Sequence, residues 1–321
     1  MPTTKPLPLD VLPTFAAVAD AGSMRAAGEA LHLTHSAISQ QIRLLEERLG
    51  FAVFARQGRG LALTPAGQRL LDASRGALAM LAEARQEAAR LALDAQPVLR
   101  VAVLPSFAQR WLMPRMGRWR AAHPDLRLEL TASMQMADLR QEGLHAAIRL
   151  GTGQWRGLRA EPLIQSPKVV LGSPAAARRV AGAGWPAIAR EPLLCSATMW
   201  RDWFSRAGAS PLPAINPVAS FNDAALLLQA MEADVGIGLV RDLLAADALL
   251  EGRLVQLAPQ ALPDSHEVHG FDPSVFWLAW REELSDWPPL LALQSWLRDE
   301  VARSRQQLEQ ARARTAGGAA A

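Results

Sequence analysis

The hydrophobic period of this chain changes once, and the change falls beside Pro97. Up to about Asp94 apolar residues recur at intervals of three and four. From Val98 they come in short blocks, "VLRVAVLP", "LRLELTA", "HAAIRLG" and "KVVLGSP", separated by helical stretches. A side-chain period of 3.6 and one of 2 belong to different secondary structures. The chain must therefore join a helical first third to an α/β remainder. Its 321 residues exceed what one ordinary core organises, and half are hydrophobic, enough for two or three cores.

Within the helical third, "LHLTHSAISQQIRLLEERLG" (residues 31–50) is two-faced. At 100° per residue Ile38, Ile42, Leu45 and Leu49 share one narrow face, with Ser36, Ser39, Gln40 and Arg43 opposite. Hydroxyls and an amide replace the Glu/Lys mixture of a merely solvated face. Upstream, "LDVLPTFAAVADAG" predicts a helix that stops at Gly22, and Ser23 caps a second in "MRAAGEALHL". Thr34 opens the third after only a few residues. This is the pattern of a helix-turn-helix, whose second helix enters a DNA major groove.

Two β-prone runs, Val53–Arg56 and Leu61–Thr64, flank the turn Gln57-Gly58-Arg59-Gly60 and predict a wing. Thr64 and Pro65 form an N-cap and first-position pair, starting a helix that runs to about Asp94. Leu70, Ser74, Ala77, Leu81, Ala84, Ala88 and Leu91 make a 4-3 seam along it. Small residues on such a seam admit a second helix closely, so a dimerising linker is expected.

The implied domains are a winged helix-turn-helix over 1–64, a linker helix over 65–96, a two-lobed α/β domain over 97–303 and a flexible tail over 304–321. Eight strand-like segments alternating with helices predict mostly parallel sheets in two α/β lobes. The first lobe takes about 97–167 and 271–303, the second about 168–270. The chain should cross between them near 164–172 and 268–277.

Several classes are excluded. A net charge of +3 is too mild to announce a partner by itself. The single cysteine, Cys195, forms no internal disulfide; a buried, inert thiol in a reducing cytosol is expected. The N-terminus lacks the form of a signal peptide, and no window has the apolar length of a membrane span. No nucleophile elbow, dinucleotide or Walker loop, or H-E-x-x-H is present, so no enzyme and no cofactor is expected. His266 and His269, with Glu267 and Asp272, lack a third strong ligand, and no metal site is expected. A solute-binding protein without regulatory DNA binding remains the alternative, although it has no use for the polar face of the third helix.

The run "FAAVADAGSMRAAGEALHLTHSAISQQIRLLEERLGFAVFARQGRGLALTPAG" resembles the winged helix-turn-helix of LysR-type transcriptional regulators, and the likeness extends over about residues 7–303. "AIRLGTGQWRGL" and "WRDWFSRAG" are similar to the subgroup typified by the glycine-cleavage activator. The resemblance implies a cytoplasmic regulator that binds promoter DNA, pairs as a homodimer and assembles as a homotetramer. It also implies a C-terminal domain like a periplasmic binding protein, holding a small effector.

On DNA, Gln40 suits an adenine edge, Arg43 a guanine edge, and Ser36 and Ser39 base or phosphate. Thr34 and His35 sit where backbone N–H groups meet phosphate, Thr34 alternatively serving only as a cap. Arg25 and the wing residues Arg56 and Arg59 suit phosphates, a sequence-blind role. The family more often carries Gln where His35 stands and Arg where Gln40 stands, which bears on base preference.

For the effector, strand ends facing helix starts nominate Ser106 and Phe107, then Ser133 and Met134, and in the second lobe Phe221, Asn222 and Asp223. Ser106 is placed at a helix N-cap, which with the following amides suits an anionic group. Arg149 and Trp155 complete the set. The competing roles are caps for Ser106 and Asn222, core or rim for Met134 and Trp155, and an ion pair for Arg149. The chain has no tyrosine, Phe276 and Trp277 stand in a strand often Tyr-rich in the subgroup, and residues 263–275 carry extra length. Effector identity does not transfer.

Overall fold

The computed structural model describes residues 7–57, 60–92, 96–135, 138–262 and 275–318. They form two compact units that divide near residue 95.

In the first, α1 (Leu12–Ala21), α2 (Met24–Leu31) and α3 (His35–Leu49) pack around Phe15, Val18, Ala27, Ile38, Ile42 and Leu45. Their ends are set locally. Ser23 and Thr34 accept the amide hydrogens of Ala26 and Ala37, and Gly22 and Gly50 close α1 and α3 in the left-handed region. The turn between α2 and α3 is tight: His32 takes φ +56°, and a Cβ on Gly28 would lie 2.7 Å from the Leu33 carbonyl oxygen.

The expected wing is present. β1 (Phe54–Gln57) pairs antiparallel with β2 (Gly60–Leu63). The Glu46 carboxylate on α3 accepts the backbone N–H of Val53 at 2.9 Å and of Phe54 at 3.3 Å, fixing where the wing begins. Thr64 then caps α4 (Pro65–Ala92), accepting the N–H of Gly67 at 2.9 Å. Along α4 the seam divides: Leu70 is half-buried and Ser74 buried, whereas Ala77, Leu81, Ala84 and Ala88 are exposed.

In the second unit β3 (Val98–Val103), α5 (Pro105–Phe107), α6 (Met116–Ala122), β4 (Arg127–Ala132), β5 (Ala146–Gly151) and β6 (Leu158–Gln165) come first. The chain then crosses at residues 166–167 into β7 (Lys168–Gly172), α7 (Pro174–Val180), α8 (Gly184–Ile188), α9 (Ala197–Arg206), α10 (Ala224–Glu232), β8 (Gly238–Arg241), α11 (Ala246–Leu250) and β9 (Val255–Leu262). β10 (Val275–Arg281) lies in the first sheet again, followed by α12 (Pro288–Gly318). The return crossing expected near 268–277 falls, up to residue 274, outside the described residues. The sheets run β4-β3-β5-β10-β6 and β8-β7-β9.

Mostly parallel sheets were expected, and this is corrected. β3 is parallel to β4 and β5, but β10 is antiparallel to both its neighbours and the second sheet is an antiparallel ladder. The reason is the route of the chain. A strand returning from the other lobe enters its sheet from the opposite end, so it meets its neighbours head to tail.

One continuous core joins the lobes, with Phe107, Trp111, Ile148, Val170, Trp200 and Trp203 fully buried within it. Arg115 ties them together: it donates to both carboxylate oxygens of Asp247 at 2.9 Å, and to Ser304 at 3.1 Å. The tail is a second correction. From residue 304, where a frayed helix and disorder were expected, α12 continues without a break to Gly318. Its Ala- and Arg-rich sequence favours helix. Leu308 is 3% exposed, Arg305 donates to the Gln165 carbonyl at 3.0 Å, and Arg312 reaches Asp242 at 2.6 Å.

Candidate functional site

Two polar surfaces stand out, one in each unit. On α3, burial of Ile38, Ile42 and Leu45 turns Thr34, His35, Ser36, Gln40 and Arg43 outward, with Ser39 half-buried beside them. The two adjacent glutamines are sorted by the scaffold: the Thr14 hydroxyl donates to Gln41, leaving Gln40 exposed. Thr34 does cap α3, its Oγ1 3.2 Å from the Ala37 nitrogen and 3.0 Å from the Ser36 hydroxyl. Both of its anticipated roles are compatible with this position.

Arg43 pairs with Glu47 at 2.9 Å and Arg25 with Glu29 at 3.3 Å, both pairs open to solvent. Exposed pairs of this kind contribute little, so exchanging a carboxylate for a phosphate is inexpensive. Arg56 lies on β1; Arg59 lies outside the described residues.

The second surface is concave. A cavity of about 490 Å³ opens between the lobes. Of the nominated residues, Ser106, Met134, Arg149, Phe221, Asn222 and Asp223 line it. Ser106 is not the cap expected of it, because Pro105 takes the first helical position and Leu104 the cap. The Asp223 Oδ1 caps α10 instead, accepting the Ala225 N–H at 2.7 Å.

Three nominated residues are not brought to this cavity. Phe107 is fully buried against Trp111 and Phe276, its ring turned into the core. Ser133 contributes its carbonyl as the acceptor for Arg149 Nη1 at 2.7 Å. Trp155 packs edge-on against Trp277 and over Gly151, where a Cβ would lie 2.6 Å from its ring.

The cavity also holds residues not nominated from the sequence: Lys168, Cys195, Ser196, Met199, Ser220, Arg241 and Phe276. A signal existed for two of them, since Lys168 and Arg241 are charges at the ends of otherwise apolar strands, "KVVLG" and "GIGLVR". The lining contains three cations, Arg149, Lys168 and Arg241, and one carboxylate, Asp223. Arg149 and Arg241 are 3% and 8% exposed. Cys195 is buried at φ +82°, and burial pushes its thiol up to about 11, against the pull of the Lys168 ammonium. It stays protonated at neutral pH and is a poor nucleophile.

His266, Glu267, His269 and Asp272 lie outside the described residues; among the described ones no group of three His, Cys, Asp or Glu is placed to hold a metal. No helix among them is long and apolar enough to cross a membrane.

Each of the two units matches a known protein family. Residues 9–68 match the model for bacterial regulatory helix-turn-helix proteins of the lysR family, and residues 94–302 match the LysR substrate binding domain. The HTH-type transcriptional activator AmpR of Pseudomonas aeruginosa is 34% identical over 307 residues, covering 92% of this chain and 96% of that protein. The glycine cleavage system transcriptional activator of Escherichia coli is 33% identical over 253 residues, covering 77% and 81%. The solved effector domain of Pseudomonas aeruginosa AmpR superposes with a TM-score of 0.53 at 28% identity, covering 66% of this chain and 99% of that one.

Proposed function

Because this chain belongs to the LysR family of bacterial helix-turn-helix transcriptional regulators, we propose that α3 reads promoter DNA and that the interlobe cavity receives the effector. It is a DNA-binding regulator under effector control and not an enzyme. The observation that carries the residue assignment is the sorting on α3, where Ile38, Ile42 and Leu45 are buried, Leu49 is half-buried, and Ser36, Gln40 and Arg43 are exposed. Gln40 and Arg43 contact base edges, Ser36 and Ser39 support them, and Thr34, His35, Arg25, Arg56 and Arg59 hold phosphates.

The exposed seam of α4, with Leu81 at 59%, supports a homodimer through this helix. Two such dimers form the homotetramer, in the cytoplasm. Dimer symmetry calls for an interrupted palindrome with half-sites one or more helical turns apart. The effector acts by preferring one arrangement of the lobes, and so of the dimers; without differential affinity it would shift nothing. Three lining cations against one carboxylate favour an anionic effector.

The test is a footprint and band shift on DNA upstream of the gene at moderate salt. Protection of two symmetric half-sites is expected. Affinity no better than for random DNA overturns the reading. Ala224 lines the cavity, and Ala224→Trp should fill it and abolish effector response while DNA binding persists.

A further inference from the structure

We propose that α12 from Arg305 onward is a strap across the crossing between the lobes, and that its grip on Asp242 restrains the opening of the interlobe cavity. The inference concerns how the cavity opens, whatever the cavity receives.

α12 is one helix with holdings on both lobes. Its first part is tied to the first lobe, where Arg298 donates to Glu161 on β6 at 2.9 Å and Arg118 of α6 donates to Glu300 at 2.8 Å. Burial then continues past residue 303, where the domain was expected to end. Val301, Ser304 and Leu308 are buried and Ala311 is half-buried, a spacing of three and four that keeps one face of the helix against the protein. At Ser304 the partners change: it accepts from Arg115, the residue that already joins the lobes through Asp247. Beyond it Arg305 donates to the carbonyl of Gln165, the last residue of β6 before the crossing, at 3.0 Å. Arg312 donates to Asp242, just past β8 in the second lobe, at 2.6 Å.

Beneath this part of α12 lies the crossing itself. Gln165, Ser166, Pro167, Asp242 and Leu243 form a small hollow with Leu308. Within it the Asp242 N–H donates to the Pro167 carbonyl at 3.1 Å, and the Leu243 N–H to the Ser166 hydroxyl at 3.4 Å. Their chain neighbours Lys168, Arg241 and Leu244 line the interlobe cavity instead. Two short, mutually bonded segments therefore separate the cavity from α12.

Lobes joined by such a crossing turn about it as rigid bodies. A helix is stiff, and Arg298 to Arg312 spans roughly 21 Å at 1.5 Å per residue. Held to the first lobe at Arg298 and to the second at Arg312, α12 cannot follow both as they separate. The contact between Arg312 and Asp242 must part, and Asp242 is only 4% exposed. Removing the partner of a buried carboxylate is costly, and that cost is added to opening.

Cys195 supplies the reporter. It is the one cysteine of the chain, 7% exposed, on the wall of the cavity. Its alkylation by N-ethylmaleimide in the full-length protein therefore follows the fraction of molecules with the lobes apart. All ten tryptophans lie beyond residue 110, so tryptophan emission gives the Tm of the second unit alone. Each protein would be alkylated about 20 °C below its own Tm, which makes the contribution of global unfolding comparable.

Arg312→Ala should accelerate alkylation at least about fivefold over wild type. Arg314→Ala removes the same charge from an exposed position of the same helix and should not. Val101→Ala weakens the buried core at β3, away from the strap, and should not either. An acceleration below fivefold in Arg312→Ala, or one matched by either of the other two variants, overturns the proposal.

Discussion

The polar face of α3 and the interlobe cavity are both built from hydroxyls, amides and arginines, yet they are opposite constructions. On α3 the polar side chains stand on a convex surface, exposed, at successive turns of one helix. In the cavity Ser106, Arg149 and Arg241 are each below a tenth exposed, and come from α5, β5 and β8. A long polymer needs an accessible ridge that fits a groove. A small molecule needs enclosure, where a few polar groups act in a lower dielectric. The same chemistry is thus divided by curvature and burial rather than by residue type.

The comparison is broken most severely by destroying the scaffold of one surface only. A Cβ on Gly67 would lie 2.0 Å from the Val53 carbonyl oxygen, so Gly67→Ala must displace the wing from α4. Specific DNA binding should be lost, with helicity falling in far-ultraviolet circular dichroism. Tryptophan emission, which reports only on the second unit, should be unchanged; a shifted spectrum would show that the two surfaces do not fold separately.

A smaller change sharpens the division within α3. Gln40→Ala should cost about 1–3 kcal/mol of discrimination at one base position, roughly 5- to 150-fold, with binding to random DNA unaffected. Equal losses on operator and random duplex would remove Gln40 from base reading. Arg25→Ala should weaken all sequences alike and lower the salt slope by about one, as measured by titration between low and moderate salt.

The smallest expected effect concerns burial itself. Glu300 in α12 is 2% exposed. Burial pushes its carboxyl up, but hydrogen bonds from Arg118 and the charges of Arg118, Arg303 and Arg115 outweigh this and hold it below its usual range. Its contribution to stability is therefore present above the unfolded pKa, about 4.3, and is lost as pH falls through the lower folded value. Glu300→Gln should flatten the decline of Tm in tryptophan-monitored melts below about pH 4.5. An unaltered decline would mean that other carboxylates govern acid unfolding.

How much was legible follows the same division. The boundaries of α1, α2 and α3 could be read from Gly22, Ser23, Thr34 and Gly50, because caps and glycine turns act within a few residues. The outward set on α3 could be read from one helical period. In the cavity, Ser106 and Asp223 were visible at strand-to-helix junctions, but Phe107 and Trp155 were misplaced, their rings being claimed by Trp111, Phe276 and Trp277. The tail's helical character was legible but its packing was not, because the helix is held through Leu308, Arg305 and Arg312 against residues from far along the chain.

What the amino-acid order determined alone was the helical third, its caps and wing, and which side of α3 faces out, since those depend on interactions between near neighbours. Tertiary structure alone decided the antiparallel ladders, the course of α12 and the meeting of Lys168, Arg241 and Arg149. Those three cations come from separate strands of two sheets, and only the pairing register and the crossing of the chain bring them to one cavity.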